Sequence, residues 1–231
     1  MKEKILIVAA HPDDEVLGCG GFISRFKSIC DFRVVFIAEG SSCRFKDLIK
    51  DKNQIIKKIN LRQTQAIKAL KSLSIKKNNI KFFNLPCGRL NSIPSVQINQ
   101  LIENEIKIFK PSKVMTHSLN DNHTDHQQVF KSVMQATRPV SKQEYLKEVI
   151  SFEILSSSEW SFDNVFKPNF FIKLSKKNII EKWNALKNYN EEILDKPHPR
   201  SLFGLTALAN YRGLQNGTEF AEAFKIIRFF K

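Results

Sequence analysis

KILIVAA, residues Lys4–Ala10, runs directly into HPDDE, residues His11–Glu15. An unbroken apolar run of this length is typical of a strand that is buried on both faces, as in a parallel sheet. Similar runs recur along the chain and predict five further strands. These are Phe32–Ala38, Ile80–Leu85, Lys113–Thr116, Glu148–Ile154 and Asn169–Leu174.

Apolar residues at helical spacing occupy most of the segments between these strands. They predict helices at Leu17–Phe26, Arg62–Leu73, Pro94–Phe109, Gln127–Ala136 and Lys176–Tyr189. The polar, lysine-rich segment Cys43–Asn60 is predicted to be a loop with a short helix. Alternation of strands and helices is typical of an α/β protein. We therefore predict a single Rossmann-like domain over residues 1–231, with a mostly parallel central sheet and helices on both faces.

The chain of 231 residues carries a formal net charge of +14 and has a pI near 9.7. Its lysines are spread along the sequence without a block of five or six cations, so we predict no specific nucleic-acid partner. The positive field can still attract a phosphate-bearing substrate. No stretch of 18 apolar residues predicts a transmembrane segment, and the first apolar run is too short for a signal peptide. The four cysteines form no C-x-x-C pair, which favours reduced thiols and a cytoplasmic location.

The first candidate site is AHPDDE, Ala10–Glu15, at the end of the first strand. Ligands in open α/β sheets bind beyond the carboxyl ends of the strands. Zinc takes nitrogen and oxygen ligands, and His11 and Asp14 can supply two of them. Asp13 can then act as a general base toward the attacking water. In the alternative interpretation, Asp13 and Asp14 only cap the following helix.

The second candidate site is HTDH, His123–His126, after the fourth strand. Histidines three residues apart share a helix face, so one can bind metal while the other reaches the substrate. Asp125 can hold one histidine ring in a single tautomer. The alternative is a polar loop with two solvated histidines. His117 lies near the same strand end, where a purely structural role is at least as plausible.

With the AHPDDE and HTDH motifs and the LGCGG run (Leu17–Gly21), the chain resembles the PIG-L/LmbE-like deacetylases. That family includes zinc-dependent enzymes that act on N-acetylglucosamine conjugates. The resemblance implies that His11, Asp14 and His126 bind Zn²⁺. It extends to Gly88-Arg89-Leu90 and to the C-terminal Arg212-Gly213, and it departs from the family at Thr124, Gln65 and Cys87.

The resemblance also implies a role for each remaining site residue. Asp13 would be the general base, and protonated His123 would stabilise the oxyanion with Asp125 beside it. Arg62 and Arg89 would contact the substrate. The predicted reaction is hydrolysis of the acetamide of an N-acetylated amino sugar conjugate, since zinc lowers the pKa of water and polarises a carbonyl group.

Two other classes of protein are alternatives to a deacetylase. A nucleotide-binding oxidoreductase needs a phosphate-binding glycine loop after the first strand, where Asp13 and Asp14 stand instead and would repel phosphate. A non-catalytic sugar- or nucleic-acid-binding Rossmann-like module remains the alternative. It predicts that a metal ligand or the base is missing, and the sequence retains all of them.

Overall fold

A computed structural model describes residues 2–139 and 145–230 and contains a seven-stranded sheet in the order β3-β2-β1-β4-β5-β7-β6. The strands are β1 (Glu3–Ala9), β2 (Cys30–Ala38), β3 (Ile80–Leu85), β4 (Lys113–Thr116), β5 (Glu148–Phe152), β6 (Phe170–Leu174) and β7 (Phe220–Phe229). Strands β1 to β5 pair with one another in parallel, whereas β7 pairs antiparallel with both β5 and β6. The prediction of a mostly parallel α/β sheet is confirmed.

Helices cover both faces of the sheet, because successive residues of a strand point to opposite sides. The helices are α1 (Asp14–Phe26), α2 (Lys52–Ser72), α3 (Ser95–Phe109), α4 (Thr124–Ala136), α5 (Lys176–Leu186) and α6 (Leu202–Gln215). In β1, Ile5 and Ile7 belong to the core under α1, α2, α5 and α6. Leu6 and Val8 belong to a second core under α3 and α4.

Small residues bring α1 close to the sheet. A Cβ atom on Gly18 would lie 2.3 Å from the ring of Phe152 in β5, and one on Gly21 would lie 2.5 Å from Leu174 in β6. Both distances are far below van der Waals contact, so any larger residue would push the helix outward. This close packing fixes the start of α1 at the carboxyl end of β1, where the first motif lies.

Three elements differ from the sequence prediction. Helix α2 already begins at Lys52, inside the segment Cys43–Asn60 that was predicted to be mainly loop. Lysines and asparagines face solvent along its first two turns, so few apolar residues mark the helical spacing there. Helix α6 and strand β7 were not predicted. No helix within the described residues is long and apolar enough to cross a membrane.

Candidate metal and catalytic site

The two sequence motifs meet at the carboxyl ends of the neighbouring strands β1 and β4. These strands pair in parallel, with Val8 opposite Thr116, so the segments that follow them leave the sheet side by side. His11 and Asp14 follow β1, while His126 lies in the first turn of α4, just after β4. The topology alone brings residues more than 100 positions apart into one site.

Two imidazoles and one carboxylate converge in this site. His11 Nδ1 lies 3.4 Å from Asp14 Oδ2, and His126 Nε2 lies 3.3 Å from the same oxygen. A ligand atom from each residue lies within 4.8 Å of the other two. All three residues are buried, at 6%, 1% and 2% exposure for His11, Asp14 and His126. Two nitrogen donors and one oxygen donor match the ligand set of a catalytic zinc site, which keeps a fourth position open.

Each of the two histidines also contacts a carboxylate through its other ring nitrogen. His11 Nε2 lies 2.9 Å from Asp125 Oδ2, and His126 Nδ1 lies 3.0 Å from Asp121 Oδ1. Histidines that bind metal commonly donate their outer N–H to such a carboxylate, which fixes the tautomer and orients the ring. In the neutral rings, this arrangement would leave the lone pairs of His11 Nδ1 and His126 Nε2 facing Asp14.

The side chain of Asp125 orients His11 rather than His123. It also accepts hydrogen bonds from the backbone N–H groups of Gly88 and Leu90, at 2.6 and 3.1 Å. These bonds tie the loop after β3 to the first turn of α4. Asp121 was not singled out from the sequence. Its Oδ2 accepts hydrogen bonds from the hydroxyl groups of Ser157 and Ser158.

The ionisation of the cluster follows from these contacts. Burial disfavours the charged imidazoles, but the carboxylates outweigh it and raise the pKa of His11 to about 9 and that of His126 to about 10. Burial also opposes ionisation of Asp14, yet the neighbouring histidines hold its pKa well below the ordinary value. In the absence of a cation, the two imidazoles therefore carry protons beside an ionised Asp14.

His117 has the structural role that was weighed from the sequence. Its Nε2 accepts a 2.8 Å hydrogen bond from the backbone N–H of Ala10, and the residue is fully buried. Burial and the charge of His126 keep its pKa well below the ordinary value. A neutral ring whose Nε2 accepts a backbone hydrogen bond cannot also offer that nitrogen to a metal.

Asp13 lies beside the cluster in a strained backbone conformation. Its φ of 121° is rare for a residue with a side chain and costs about 1–3 kcal/mol. Its carboxylate makes no capping hydrogen bond with α1, which removes the capping interpretation for this residue. Instead, Oδ2 lies 3.1 Å from Arg62 Nη2 and 2.8 Å from Arg200 Nη1. Burial raises the pKa of Asp13, and the two guanidinium groups only partly offset this.

Arg62 is buried against the protein. Its Nε donates to the carbonyl of Pro12 at 2.9 Å, and its two terminal nitrogens contact Asp13 and Glu192. Its predicted contact with substrate remains a prediction, and the observed contacts show that it holds Asp13. Arg89 is half-buried in the loop after β3, with Nη1 3.5 Å from Ser42 Oγ. Its role in substrate binding also remains a prediction.

His123 precedes α4 and faces the cluster without joining it. Its ring centroid lies 4.9 Å from that of His11 and 4.6 Å from that of His126. Its Nδ1 accepts the backbone N–H of Asp125 at 3.1 Å, so the hydrogen of the neutral ring resides on Nε2. Burial, together with the positive charges of His126 and His11, lowers its pKa to about 4. The protonation of His123 during the reaction remains a prediction, and the neutral ring can also donate from Nε2.

Two further residues of the site were missed in the sequence. Arg200 Nη1 contacts Asp13 and also Glu192 Oε2, at 2.9 Å. Arg200 and Glu192 lie in the loops between α5 and α6, far along the chain from the HPDDE motif. The only sequence signal nearby was His198, which gave no reason to select its neighbours.

The fold and the site together define a class: an α/β protein with a His/Asp/His cluster at the carboxyl edge of its parallel strands. The chain belongs to the PIG-L family, whose model is described as GlcNAc-PI de-N-acetylase and matches residues 6–137. The family resemblance noted in the sequence is confirmed.

Three solved structures illustrate the similarity in fold. N,N'-diacetylchitobiose deacetylase from Pyrococcus horikoshii has 17% identity and a TM-score of 0.75, over 97% of this chain and 84% of that chain. The deacetylase Dbv21, which acts on the A40926 pseudoaglycone, has 17% identity and a TM-score of 0.77, over 100% of both chains. The hydratase GalB from Pseudomonas putida KT2440 has 19% identity and a TM-score of 0.74, over 99% of this chain and 98% of that chain. At these identities, the similarity shows the fold and leaves the reaction open.

Proposed function

We propose that this protein is a metal-dependent N-deacetylase that removes the acetyl group from an N-acetylated amino sugar conjugate. One observation supports it above the others. Two buried imidazoles and Asp14 converge, and the outer nitrogen of each imidazole contacts its own carboxylate. A carboxylate behind each ligating histidine is the usual arrangement of a metal site, and a solvated polar loop does not require it.

His11, Asp14 and His126 are the residues that would hold the metal. Their mixed nitrogen and oxygen donors suit Zn²⁺ better than Mg²⁺ or Ca²⁺, which prefer oxygen ligands alone. When bound, the ion would supply Lewis acidity and a water of lowered pKa.

Asp13 is the residue that we assign as general base. Arg62 and Arg200 both bind its Oδ2, so we assign Oδ1 as the atom that accepts the proton of the attacking water. The raised pKa of Asp13 favours this uptake, because a base with a higher pKa holds the transferred proton better. The same oxygen can then deliver the proton to the departing amine.

His123 is the residue that we assign to the oxyanion. Because its Nδ1 accepts the Asp125 N–H, its Nε2–H is available as a donor. A neutral imidazole that is already oriented can stabilise developing negative charge without first gaining a proton. Asp125 supports catalysis indirectly, through His11 and through this backbone contact.

For the substrate, we propose an N-acetylglucosamine-like sugar joined to a carrier group. The family description and the two deacetylases of similar fold support a sugar-bearing substrate. The net charge of +14 favours a carrier with phosphate or another anionic group. Specific nucleic-acid binding is not part of the proposal. The four free cysteines support a cytoplasmic location, where thiols stay reduced.

An acetate-release screen over N-acetylated amino sugar conjugates, with zinc-loaded protein, tests the proposal. We expect acetate and a free amine in equal amounts, one zinc per chain, and loss of both zinc and activity in His11→Ala. Asp163→Asn, at an exposed acid outside the site, is the matched control. Zinc bound with no acetate from any conjugate would refute the deacetylase. Sugar binding without bound metal would favour the non-catalytic module.

A further inference from the structure

Two cysteines that the proposed reaction does not use face each other at the rim of the site. Cys43 lies in the turn after β2, and Cys87 lies in the loop after β3. Their Sγ atoms are 3.0 Å apart. Cys43 is exposed to solvent, whereas Cys87 is buried at 3% exposure.

The two loops are held together independently of the sulfur atoms. The carboxylate of Glu39 accepts hydrogen bonds from the backbone N–H groups of Ser41, Ser42 and Cys87, at 2.6, 2.9 and 2.9 Å. A Cβ atom on Gly88, whose φ is +71°, would lie only 3.0 Å from Cys43 Cβ. Glycine at this position therefore allows the second loop to approach Cys43 directly. The thiols are thus positioned by contacts that persist whether or not a bond joins them.

The same loop leads to the metal-ligand cluster. Gly88, the residue after Cys87, donates its N–H to Asp125 Oδ2, the oxygen that also contacts His11 Nε2. A ligand atom of Cys87 lies within 4.8 Å of one in His11 and one in Asp125. A covalent change at Cys87 is therefore one residue away from the carboxylate that orients His11.

We propose that Cys43 and Cys87 form an oxidative modification site, a dithiol that closes reversibly to a disulfide and weakens metal binding. The oxidant is a peroxide. The exposed Cys43 thiol attacks one peroxide oxygen, which gives the sulfenic acid and, from hydrogen peroxide, one water. Cys87 then attacks the Cys43 sulfur and displaces a second water, so that two thiols and one hydrogen peroxide yield one disulfide and two waters.

Closure of the bond requires a small but definite movement. A disulfide has an S–S length of about 2.05 Å, so the sulfur atoms must approach by roughly 1 Å. Part of this shift falls on the Cys87–Gly88 segment and alters the hydrogen bond from Gly88 to Asp125. Loss of a group that orients a ligating histidine typically weakens metal binding by about 10–100-fold, and the Gly88 N–H acts one contact further out, through Asp125. Because Asp125 keeps its bond from Leu90, we expect about a tenfold loss on oxidation.

Peptide mapping tests the covalent part of the proposal. The full chain is treated with hydrogen peroxide, its remaining thiols are alkylated, and it is digested without reductant. We expect a linked peptide pair that contains Cys43 and Cys87, alkylated Cys19 and Cys30, and full reversal by dithiothreitol. Four alkylated cysteines, or an overoxidised Cys43 without any link, would overturn the proposal.

Zinc affinity tests the consequence, by competition with a chromogenic chelator in the oxidised and the reduced protein. Cys43→Ser removes the accessible thiol, so its zinc affinity should be the same in the peroxide-treated and the reduced protein. Cys30→Ser is the matched control, because it removes a buried thiol elsewhere in the protein. Its zinc affinity should still fall about tenfold on oxidation, as in the wild type. An unchanged affinity in the linked wild type, or an equal loss in Cys43→Ser, would refute the coupling. This coupling rests on the proposed metal site, but neither measurement depends on acetate release, so failure of the proposed reaction would leave both informative.

Discussion

Replacement of Asp121 by asparagine tests the candidate metal site through a residue that contacts a ligand and not the metal. Asp121 Oδ1 lies 3.0 Å from His126 Nδ1, and both side chains are nearly inaccessible, at 0% and 2% exposure. Burial opposes the ionisation of Asp121, but its contact with His126 and the positive charge of that ring outweigh burial and lower the pKa of Asp121 to about 2. The substitution preserves the shape of the side chain and removes only its charge.

The size of the effect follows from the contacts of Asp121. The backbone N–H of His123 donates to its Oδ1, and the hydroxyls of Ser157 and Ser158 donate to its Oδ2 at 2.9 and 2.6 Å. An asparagine can place its carbonyl oxygen toward His126 and its amide toward the two hydroxyls. It therefore keeps a polar contact with the imidazole and loses the ionic part. We expect zinc affinity to fall about tenfold in Asp121→Asn and about 100-fold in Asp121→Ala, the two ends of the range for such partners.

Competition with a chromogenic zinc chelator measures these affinities, and total metal analysis supplies the stoichiometry. Asp163→Asn, which changes the same charge at an exposed position, is the control and should match the wild type. A tenfold change corresponds to about 1.4 kcal/mol, well above the error of such a titration. If Asp121→Ala retains wild-type affinity at one zinc per chain, His126 does not bind the metal in the way proposed.

The remaining predictions concern the base, the oxyanion donor and the core. Asp13→Asn should retain zinc yet lose about 10²–10⁴ in kcat, the range for a general base; an active variant, or one without zinc, would contradict the assignment. His123→Ala should lose about 10²–10³ in kcat with zinc retained, and unchanged kcat would remove His123 from the mechanism. Because the pKa of His123 is lowered to about 4, kcat should not fall through its deprotonation between pH 6 and 8, which a pH profile checks. Lys182→Met should destabilise the fold by about 3 kcal/mol in urea unfolding, because it leaves the buried Glu222 carboxylate without its 2.7 Å partner, whereas the exposed Lys187→Met should not.

The parallel half of the sheet could be predicted from the sequence because each of its strands is a short apolar run. Strand β7 has a different pattern. Its first residues, Phe220–Phe224, are buried, while Lys225 and Arg228 interrupt the second half, where it is only partly covered. In the sheet, β7 lies between β5 and β6 and runs antiparallel to both. No local sequence pattern encodes this position. Helix α6 was missed since few of its apolar residues are buried, and Leu202 and Leu214 face solvent.

The residues of the proposed metal site could be singled out for a related reason. Their short motifs of unusual composition lie in the segments that follow β1 and β4, and parallel pairing brings such segments together. Asp121 could also have been predicted from the sequence, since it lies two residues before His123 in the same loop. Arg200 and Glu192 could not, because they lie in irregular segments whose distance from Asp13 depends on how α5 and α6 pack.

The charged groups around Asp13, the proposed general base, form a connected network. Arg62 contacts both Asp13 and Glu192, and Arg200 contacts the same two carboxylates. Arg44 adds a third guanidinium group, with Nη2 2.6 Å from Glu192 Oε1, so three positive groups and two carboxylates form the network. Within it, the contacts of Arg62 and Arg200 hold Asp13 in its strained conformation.

Within residues 2–139 and 145–230, no arginine or lysine contacts the carboxylates of the proposed metal site. Asp14, Asp121 and Asp125 contact His11 and His126, and burial makes three uncompensated carboxylates very unfavourable. Without a cation, protons on the imidazoles offset two of the three charges, which is why their pKa values rise to about 9 and 10. A divalent ion would supply the same two charges and must displace those protons, so metal affinity should rise with pH up to about these values. Two positive charges would therefore offset most of the negative charge of this polar core at the end of β1 and β4, which supports the proposed divalent metal over a neutral sugar ligand.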